Sequence, residues 1–278
     1  MNKPIKRAFL DTEDGQILYR IAGEGEPLLL LHQNFRSGDE FRELIPIFAQ
    51  KRLVIAMDFL GLGDSDKPPR MYSIEDYAKT VILLLDELGI KTTSILGNHT
   101  GACVAAEVAA AYSQRVEKII LCNIDDFNEE GKAALSNKFE NLKIQADGSY
   151  LMQRWSARAS YIGSAELNHR WVLDDLKGFG YPWYAPLAVI DYCKRMEARF
   201  RLIKSPTLIL SGTEDVKQLE RLGFANADNR EFILTAISHA KMIDIEGGTI
   251  CMMNQIPEEI SKVVIEFLEK NPVNTIYK

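Results

Sequence analysis

Short apolar runs alternate along the chain with segments in which apolar residues recur every three or four positions. This alternation is typical of a mostly parallel β-sheet covered by helices on both faces. The first two predicted strands, KRAFLD and QILYRIAG, form a hairpin that turns at Glu13-Asp14-Gly15. The later strands are LLLLH, LVIAMD, TSILG, VEKIILCN, SPTLILSG and KMIDI. The sequence therefore predicts an α/β fold whose mostly parallel sheet has eight strands flanked by helices.

Helical periods fill most of the connections between these strands. They span 39–50, 73–88, 218–237 and 257–270. Ser73 has the residue type of an N-cap, and Asp76 three positions later completes an approximate capping box. Pro257 stands in the first turn of the last predicted helix, where its fixed φ is favourable.

One stretch between the sixth and seventh predicted strands has helical periodicity only. Its predicted helices span 129–145, 148–162, 164–177 and 183–200. All three tryptophans lie in it, namely Trp155, Trp171 and Trp183. A helical block inserted between two strands predicts a cap over the carboxyl-terminal edge of the sheet. We expect an α/β core made of residues 1–126 and 201–278, with a helical cap at 127–200.

Composition and charge exclude several classes of partner. A chain of 278 residues with 46% hydrophobic content is large enough for one well-buried core. Its net charge of −6, without runs of Lys or Arg, argues against nucleic-acid and membrane partners. The N-terminal MNKPIKRAFLDTEDG lacks the apolar region of a signal peptide, and no apolar run is long enough to span a bilayer. We expect a cytoplasmic protein that is a monomer or a homodimer.

No motif for a cofactor or a metal is present in the sequence. The four cysteines, Cys103, Cys122, Cys193 and Cys251, are widely spaced and fit no zinc pattern. The first strand is not followed by G-x-G-x-x-G, and there is no P-loop. We therefore expect no cofactor, no metal and no disulfide framework.

The most distinctive motif is Gly97-Asn98-His99-Thr100-Gly101, which follows the strand TSILG and precedes the helical segment ACVAAEVAAAY. A strand, a glycine-flanked tight turn and a helix form the G-x-S-x-G nucleophile elbow of many hydrolases. Here the position of the nucleophile holds an imidazole, which should point into a pocket beneath the cap. A pocket-facing histidine is the usual acid–base group near pH 7.

Five segments follow one another along the chain: LLLLHQN, MDFLGLGDSDKP, GNHTG, PTLILSGTED and IEGGTICMMNQIPEEI. In this order they resemble the α/β-hydrolase fold family with a helical cap, which includes haloalkane dehalogenases, epoxide hydrolases and lactone or ester hydrolases. The resemblance covers nearly the whole chain. It implies that Asp58 and Asp64 stabilise the turn after the fourth strand.

The resemblance also implies where a catalytic triad would stand. The nucleophile position is His99, the acid position is Asp215, and the histidine position is Thr249. Two of the three are substituted, so an ordinary Ser-His-Asp mechanism is excluded by the residues present. Asp125 follows the strand IILCN, where some dehalogenase-like members place the acid, and is an alternative partner for His99.

The other histidines do not restore the usual arrangement. His239 precedes the strand KMIDI, so it belongs about 17 Å away at the opposite edge of the sheet. His32 lies in the loop after LLLLH, where it is expected to support that loop. His169 fits a solvated position on a cap helix.

Compared with the usual triad, the short and the long side chain have exchanged places: a long imidazole stands at the elbow and a short hydroxyl at position 249. The imidazole of His99 can fill the space that a histidine at position 249 would occupy, which brings it toward Asp215. General base is then its leading role. A covalent acyl-imidazole and Thr249 as the nucleophile of an exchanged triad are the alternatives.

Further residues are expected to bind the substrate. The resemblance implies an oxyanion hole made by the backbone N–H groups of Thr100 and Gln33. Gln33 and Asn34 also offer side-chain amides, and Phe35 an aromatic wall. Among the aromatic residues of the cap, we expect Trp155 and Trp183 to contact the ligand. The expected ligand is a small apolar or aromatic molecule in a pocket lined mainly by apolar residues.

Three function classes follow from these observations. The first is a cofactor-independent enzyme that acts on a carbonyl compound by hydrolysis or by lyase or isomerase chemistry. The second is a non-catalytic binder of small molecules, and the third is a structural pseudoenzyme. The retained Asp215 and the imidazole in the elbow favour an enzyme, because binding alone requires neither.

Overall fold

A computed structural model describes residues 4–179, 184–224 and 228–270. Its strands are β1 (Lys6–Thr12), β2 (Gly15–Ala22), β3 (Glu26–Leu31), β4 (Arg52–Met57), β5 (Thr93–Asn98), β6 (Val116–Cys122), β7 (Thr207–Gly212) and β8 (Lys241–Ile245). They form one sheet of eight strands in the order β1-β2-β4-β3-β5-β6-β7-β8. The pairs β1–β2 and β2–β4 are antiparallel, and the remaining pairs are parallel. The predicted fold class is confirmed.

The helices of the core are α1 (Leu44–Phe48), α2 (Ile74–Glu87), α3 (Thr100–Ala111), α9 (Thr213–Arg221), α10 (Asp228–Ala236), α11 (Met252–Gln255) and α12 (Pro257–Glu269). Between β6 and β7 lie α4 (Glu129–Asn141), α5 (Ser149–Ser156), α6 (Ala165–Gly178), α7 (Tyr184–Tyr192) and α8 (Met196–Phe200). We use the name cap for this inserted segment and the name core for the remainder of the described chain. Short 3-10 helices span Gly38–Phe41 and Ser113–Arg115. None of the described helices combines the length and apolar character that crossing a membrane requires.

Burial on both faces explains the apolar run of β3. Leu29 and Leu31 pack with α2 and α3 on one face of the sheet, whereas Leu28 and Leu30 pack with α1 and α12 on the other. All four are fully buried. A strand covered by helices on both sides cannot show the alternation of a half-exposed strand.

Local signals set several helix ends. The Ser73 side chain accepts from the backbone N–H of Asp76, and the Asp76 side chain accepts from the backbone of Ser73, as the capping box predicts. Pro257 begins α12. The single helix predicted at 218–237 is wrong, because α9 ends where Gly223 adopts a φ of 70° and α10 follows. The segment predicted at 39–50 is likewise a 3-10 turn followed by the short α1.

Charged contacts attach the cap helix α6 to the core. The buried Arg36 pairs with Asp174 at 2.9 Å, and side-chain exposures are 0% and 6%. Arg170 pairs with Glu43 at 2.6 Å and with Asp39 at 3.2 Å. Nearer the solvent, Lys177 pairs with Asp64 at 3.0 Å, where side-chain exposures are 36% and 43%.

Asp58 anchors the turn after β4. Its Oδ1 accepts from Arg20 Nη1 at 2.6 Å and from the backbone N–H of Gly38 at 2.7 Å. Its Oδ2 accepts from the backbone N–H of Asp64 at 2.9 Å. A fully buried carboxylate thus joins β2 to the loops that follow β3 and β4.

We predict that Asp58→Asn lowers the free energy of unfolding by about 3 kcal/mol or more, because Arg20 remains buried without its counter-charge. Asp64→Asn is the matched control, since its half-exposed carboxylate should contribute about 1 kcal/mol or less. Urea denaturation of both variants measures the difference. Equal losses would show that the buried pair is not what stabilises this turn.

Candidate active site

The turn between β5 and α3 holds His99 in a strained conformation. Its φ of 47° and ψ of −110° are unusual for a residue with a Cβ atom. The flanking glycines are required by contact, because a Cβ added to Gly97 would lie 2.1 Å from the carbonyl oxygen of Gly101. One added to Gly101 would lie 1.9 Å from the carbonyl oxygen of Leu31. This close packing presents the His99 side chain to a cavity.

The cavity lies between core and cap and has a volume of about 280 Å³. Its core side includes Gln33, Asn34, Phe35, His99, Thr100, Asn123, Asp125, Asp215 and Ile250. Its cap side includes Leu135, Lys138, Phe139, Arg154, Arg158, Tyr161, Trp171, Asp175 and Val189. The volume is near the lower end of the roughly 300 to 1,000 Å³ typical of ligand pockets, which suits a small molecule.

His99 and Asp215 lie in direct contact. His99 Nε2 is 3.1 Å from Asp215 Oδ2, and the two side chains are 18% and 5% exposed. Neither atom completes an aligned hydrogen bond with any group of the described chain. The contact is therefore mainly electrostatic in the present ring orientation.

Asp125 completes a cluster of three groups. One ligand atom from each of His99, Asp125 and Asp215 lies within 4.8 Å of the others. An imidazole nitrogen and two carboxylate oxygens at this spacing could hold a divalent cation. No spacing motif in the sequence indicates such a site, because the three residues come from three separate segments of the chain.

The acids and the burial of the cluster shift its proton affinities. Burial, the largest single effect, lowers the pKa of His99, but the carboxylates of Asp215, Asp125 and Glu40 together raise it, so the net shift is upward from 6.5. Burial raises the pKa of Asp125 to about 7, and the nearby Asp215 adds to that effect. Asp125 therefore changes charge near neutral pH, which is the range that acid–base catalysis uses, and His99 binds its proton more tightly than a free imidazole.

Backbone contacts fix Asp215. Helix α9 begins directly after β7, and the N–H groups of Glu214 and Asp215 donate to the carbonyl of Gly248 at 2.9 and 3.1 Å. Asn123, with a φ of 48°, accepts from the N–H of Gly212 at 2.9 Å. The loops after β6, β7 and β8 are thereby tied together around the carboxylate.

The expectation that Gln33 supplies a backbone oxyanion donor is wrong. Its N–H donates to Glu40 Oε2 at 2.9 Å, and its side-chain amide donates to Glu40 Oε1 and to the carbonyl of Ile250. Thr100, in contrast, opens α3, where the first N–H groups have no acceptor within the helix. Asn34 lines the cavity, and its buried Oδ1 has no partner in the described chain.

The structure does not bring Thr249 to His99. Its hydroxyl donates to Gln255 Oε1 at 2.7 Å and accepts from the N–H of Cys251 at 2.9 Å. Among the described residues that line the cavity, the neighbouring Ile250 is present and Thr249 is not. The exchanged triad is contradicted, because the hydroxyl is bonded to Gln255 and to the N–H of Cys251, outside the described lining of the cavity.

The tryptophan of the cap that lines the cavity is Trp171, which differs from the two expected ligand contacts. Trp155 is not among the described cavity-lining residues, and Trp183 lies outside the residues that the structure describes. Trp171 lines the cavity, and its Nε1 donates to Asn254 Oδ1 at 3.1 Å. The guanidinium groups of Arg36 and Arg158 lie 4.3 and 5.2 Å from its ring centroid. Helical periodicity identified a buried face but not which ring reaches the ligand.

The remaining histidines lie outside the cluster. His32 accepts from the N–H of Phe59 at 3.0 Å and contacts the carbonyl of Gln33 at 2.7 Å, and burial lowers its pKa. His239 contacts the carbonyl of Ser205 at 2.9 Å, at the amino-terminal edge of the sheet. His169 is exposed on α6.

The cavity is lined by more charged side chains than the mainly apolar lining expected from the sequence. Lys138, Arg154, Arg158 and Asp175 all belong to the cap side. The four-residue spacing of Arg154 and Arg158 places both on one face of a helical segment, and that signal was available in the sequence.

The charge of Asp125 predicts a pH-dependent stability. Its pKa is raised from 3.8 to about 7 on folding, so the folded chain holds a proton that the unfolded chain has lost. The bound proton therefore contributes to the stability of the folded chain below about pH 4, and this contribution is lost as the pH rises through about 7. Asp125→Asn, which cannot ionise, should therefore melt above the wild-type chain at pH 8.5, and the gain should shrink at pH 5.

Differential scanning calorimetry at both pH values measures this difference. Glu117→Gln, which removes an exposed acid from β6, is the control for a change of net charge. A gain that is the same at both pH values would contradict the predicted ionisation.

Comparisons with known proteins agree with this architecture. The profile of the family described as "alpha/beta hydrolase fold" matches residues 26–161. The cis-3-alkyl-4-alkyloxetan-2-one decarboxylase of Shewanella oneidensis is 27% identical over 58% of this chain and 52% of its own. The soluble epoxide hydrolase of a Corynebacterium strain is 36% identical over 38% of this chain and 37% of its own. The chain spans between 30% and 52% of the length of the first curated relatives that it matches.

A solved structure extends the likeness to nearly the whole chain. The enol-lactonase from Burkholderia xenovorans LB400 superposes with a TM-score of 0.71 at 21% identity, covering 95% of this chain and 100% of its own. At this identity the likeness shows the fold alone. The profile match over residues 26–161, the strand order and this superposition agree, and the chain therefore has the α/β-hydrolase fold.

Proposed function

We propose that the chain is a cofactor-independent enzyme that acts on a small carbonyl compound with His99 as general base. The observation that carries this proposal is the contact of His99 Nε2 with Asp215 Oδ2 at 3.1 Å on the wall of a cavity. A carboxylate beside one ring nitrogen favours the tautomer that keeps its proton there. The other nitrogen, Nδ1, is then the one that accepts a proton from water or substrate.

In the hydrolytic form of the reaction, Nδ1 takes a proton from water while the water oxygen bonds to the carbonyl carbon. The N–H of Thr100 donates to the oxyanion that develops on the carbonyl oxygen. Collapse of the tetrahedral intermediate breaks the bond to the leaving oxygen, which requires a proton. Asp125, with a pKa of about 7, holds such a proton at neutral pH in part of the molecules.

The same base supports removal of a proton from carbon, which begins lyase or isomerase chemistry. The similar proteins include an oxetan-2-one decarboxylase, an epoxide hydrolase and an enol-lactonase, so lactones are the first substrates to test. The substitution at the nucleophile position favours the second candidate, a non-catalytic binder of small molecules.

A panel of esters, lactones, epoxides and β-dicarbonyl compounds should reveal turnover that His99→Ala lowers by about 10² to 10⁴ in kcat/KM, since it removes the general base. His239→Ala is the matched control, because that imidazole lies at the other edge of the sheet. Adding a chelator should leave the rate unchanged. A loss of activity on adding it would show that the cluster of His99, Asp125 and Asp215 binds a metal that the reaction needs. No turnover of any compound, together with ligand-induced increases in melting temperature, would support the binder.

The pH dependence of kcat/KM tests the role of Asp215. A protonated imidazole cannot accept a proton, so the rate should rise with pH through the pKa of His99, which lies above 6.5 because of Asp215. Asp215→Asn removes the carboxylate that raises this pKa and should move the acidic limb to lower pH. A limb that does not move would contradict the assignment of His99 and Asp215 as a pair.

A further inference from the structure

We propose that Lys138, Arg154 and Arg158 form a subsite that binds a carboxylate group of the substrate on the cap side of the cavity. This inference rests on the proposed function only for the position of the reacting carbonyl, which belongs to the core side with His99. It narrows the substrate to a small carbonyl compound that also carries a carboxylate.

The cap side of the cavity carries more positive than negative charge. On the cap side of the cavity, the cationic groups are Lys138, Arg154 and Arg158, and the described anionic group is Asp175. Two positive charges are therefore in excess on this side, whereas the acidic groups Asp125 and Asp215 lie on the core side beside His99. Purely structural ion pairs in a protein interior balance their charges, because an unpaired buried charge is costly.

The contacts of Asp175 show how the arginines are held. Its Oδ2 accepts from Arg154 Nε at 2.9 Å and lies 2.8 Å from Arg154 Nη2. Arg158 Nη2 donates to the same oxygen, and Arg158 Nη1 donates to the carbonyl of Arg154 at 3.0 Å. Arg154 Nη1 and Arg158 Nε make no hydrogen bond within the described chain. Both guanidinium groups thus retain donors for a second anion.

An aromatic ring lies against each of the two guanidinium groups. Arg154 lies 5.6 Å from the ring centroid of Phe35, and Arg158 lies 5.2 Å from that of Trp171. Stacking occupies the faces of a guanidinium and leaves its edges available, and the edges are what a carboxylate binds. Both rings line the same cavity.

Among the three cations of the subsite, Lys138 is the one without an ion-pair partner in the described chain. Its ammonium forms no ion pair within the residues that the structure describes, although it lines the cavity. Surrounding protein lowers its pKa, and the positive charges of Arg154 and Arg158 lower it further. A bound carboxylate would relieve this repulsion.

Phenylacetate and its neutral amide, phenylacetamide, test the subsite by calorimetric titration. The wild-type chain should bind phenylacetate at least tenfold more tightly than the amide, because hydrogen bonds between charged groups are the stronger ones. Lys138→Gln should remove most of this preference and leave binding of the amide unchanged. Lys132→Gln is the matched control, since it makes the same change on α4 at a lysine that pairs with Glu129 outside the cavity.

The outcomes separate this inference from the proposed function. His99→Ala should keep the preference for phenylacetate, because the base is not part of the subsite, even if all turnover is lost. Equal affinity of the wild-type chain for acid and amide would overturn the subsite whether or not His99 catalyses a reaction. A preference that Lys138→Gln and Arg154→Gln both leave intact would also overturn it. Where turnover is found, Lys138→Gln should raise KM for a carboxylate-bearing ester and not for its methyl ester.

Discussion

A single buried carboxylate, that of Glu40, joins the loops from which the candidate site is built. It accepts from the backbone and side-chain amides of Gln33 in the loop after β3, and from Asn98 Nδ2 beside the elbow at 2.7 Å. The backbone carbonyl of Glu40 accepts from Asn254 Nδ2 in α11 at 2.8 Å. A fully buried anion is tolerated only with such partners, so the three segments must meet in one arrangement.

This arrangement has a chemical consequence for the site. Because Glu40 occupies the N–H of Gln33, the oxyanion donor that a hydrolase loop would supply at that residue is absent, and Thr100 alone remains of the two expected donors. In the reaction proposed above, the charge of the cluster of His99, Asp125 and Asp215 would then matter more.

The sequence predicts the sheet and the elbow because both depend on local constraints. Apolar runs such as Leu28 to Leu31 must be buried, and the glycines around His99 allow a turn that a Cβ would block. Glu40 shows the limit, since a charged residue in a polar turn gives no local sign that it is fully buried.

Ligand contacts are harder to predict because they depend on how the cap lies over the core. Residues on one helical face share a periodicity, which cannot distinguish Trp171 in the cavity wall from Trp155 outside it. Thr249 was assigned from its position after β8, but a neighbouring amide, Gln255, determines where its hydroxyl points. Only the pairing of His99 with an aspartate follows from the order of the loops along the sheet edge.

The ion pairs between α6 and the core differ in their access to solvent. Exposed pairs such as Lys177–Asp64 are screened by salt, whereas the buried Arg36–Asp174 pair is screened much less. Added salt therefore weakens the exposed contact between α6 and the core before it weakens the buried one. The attachment of α6 to the core thus depends on the ionic strength of the medium.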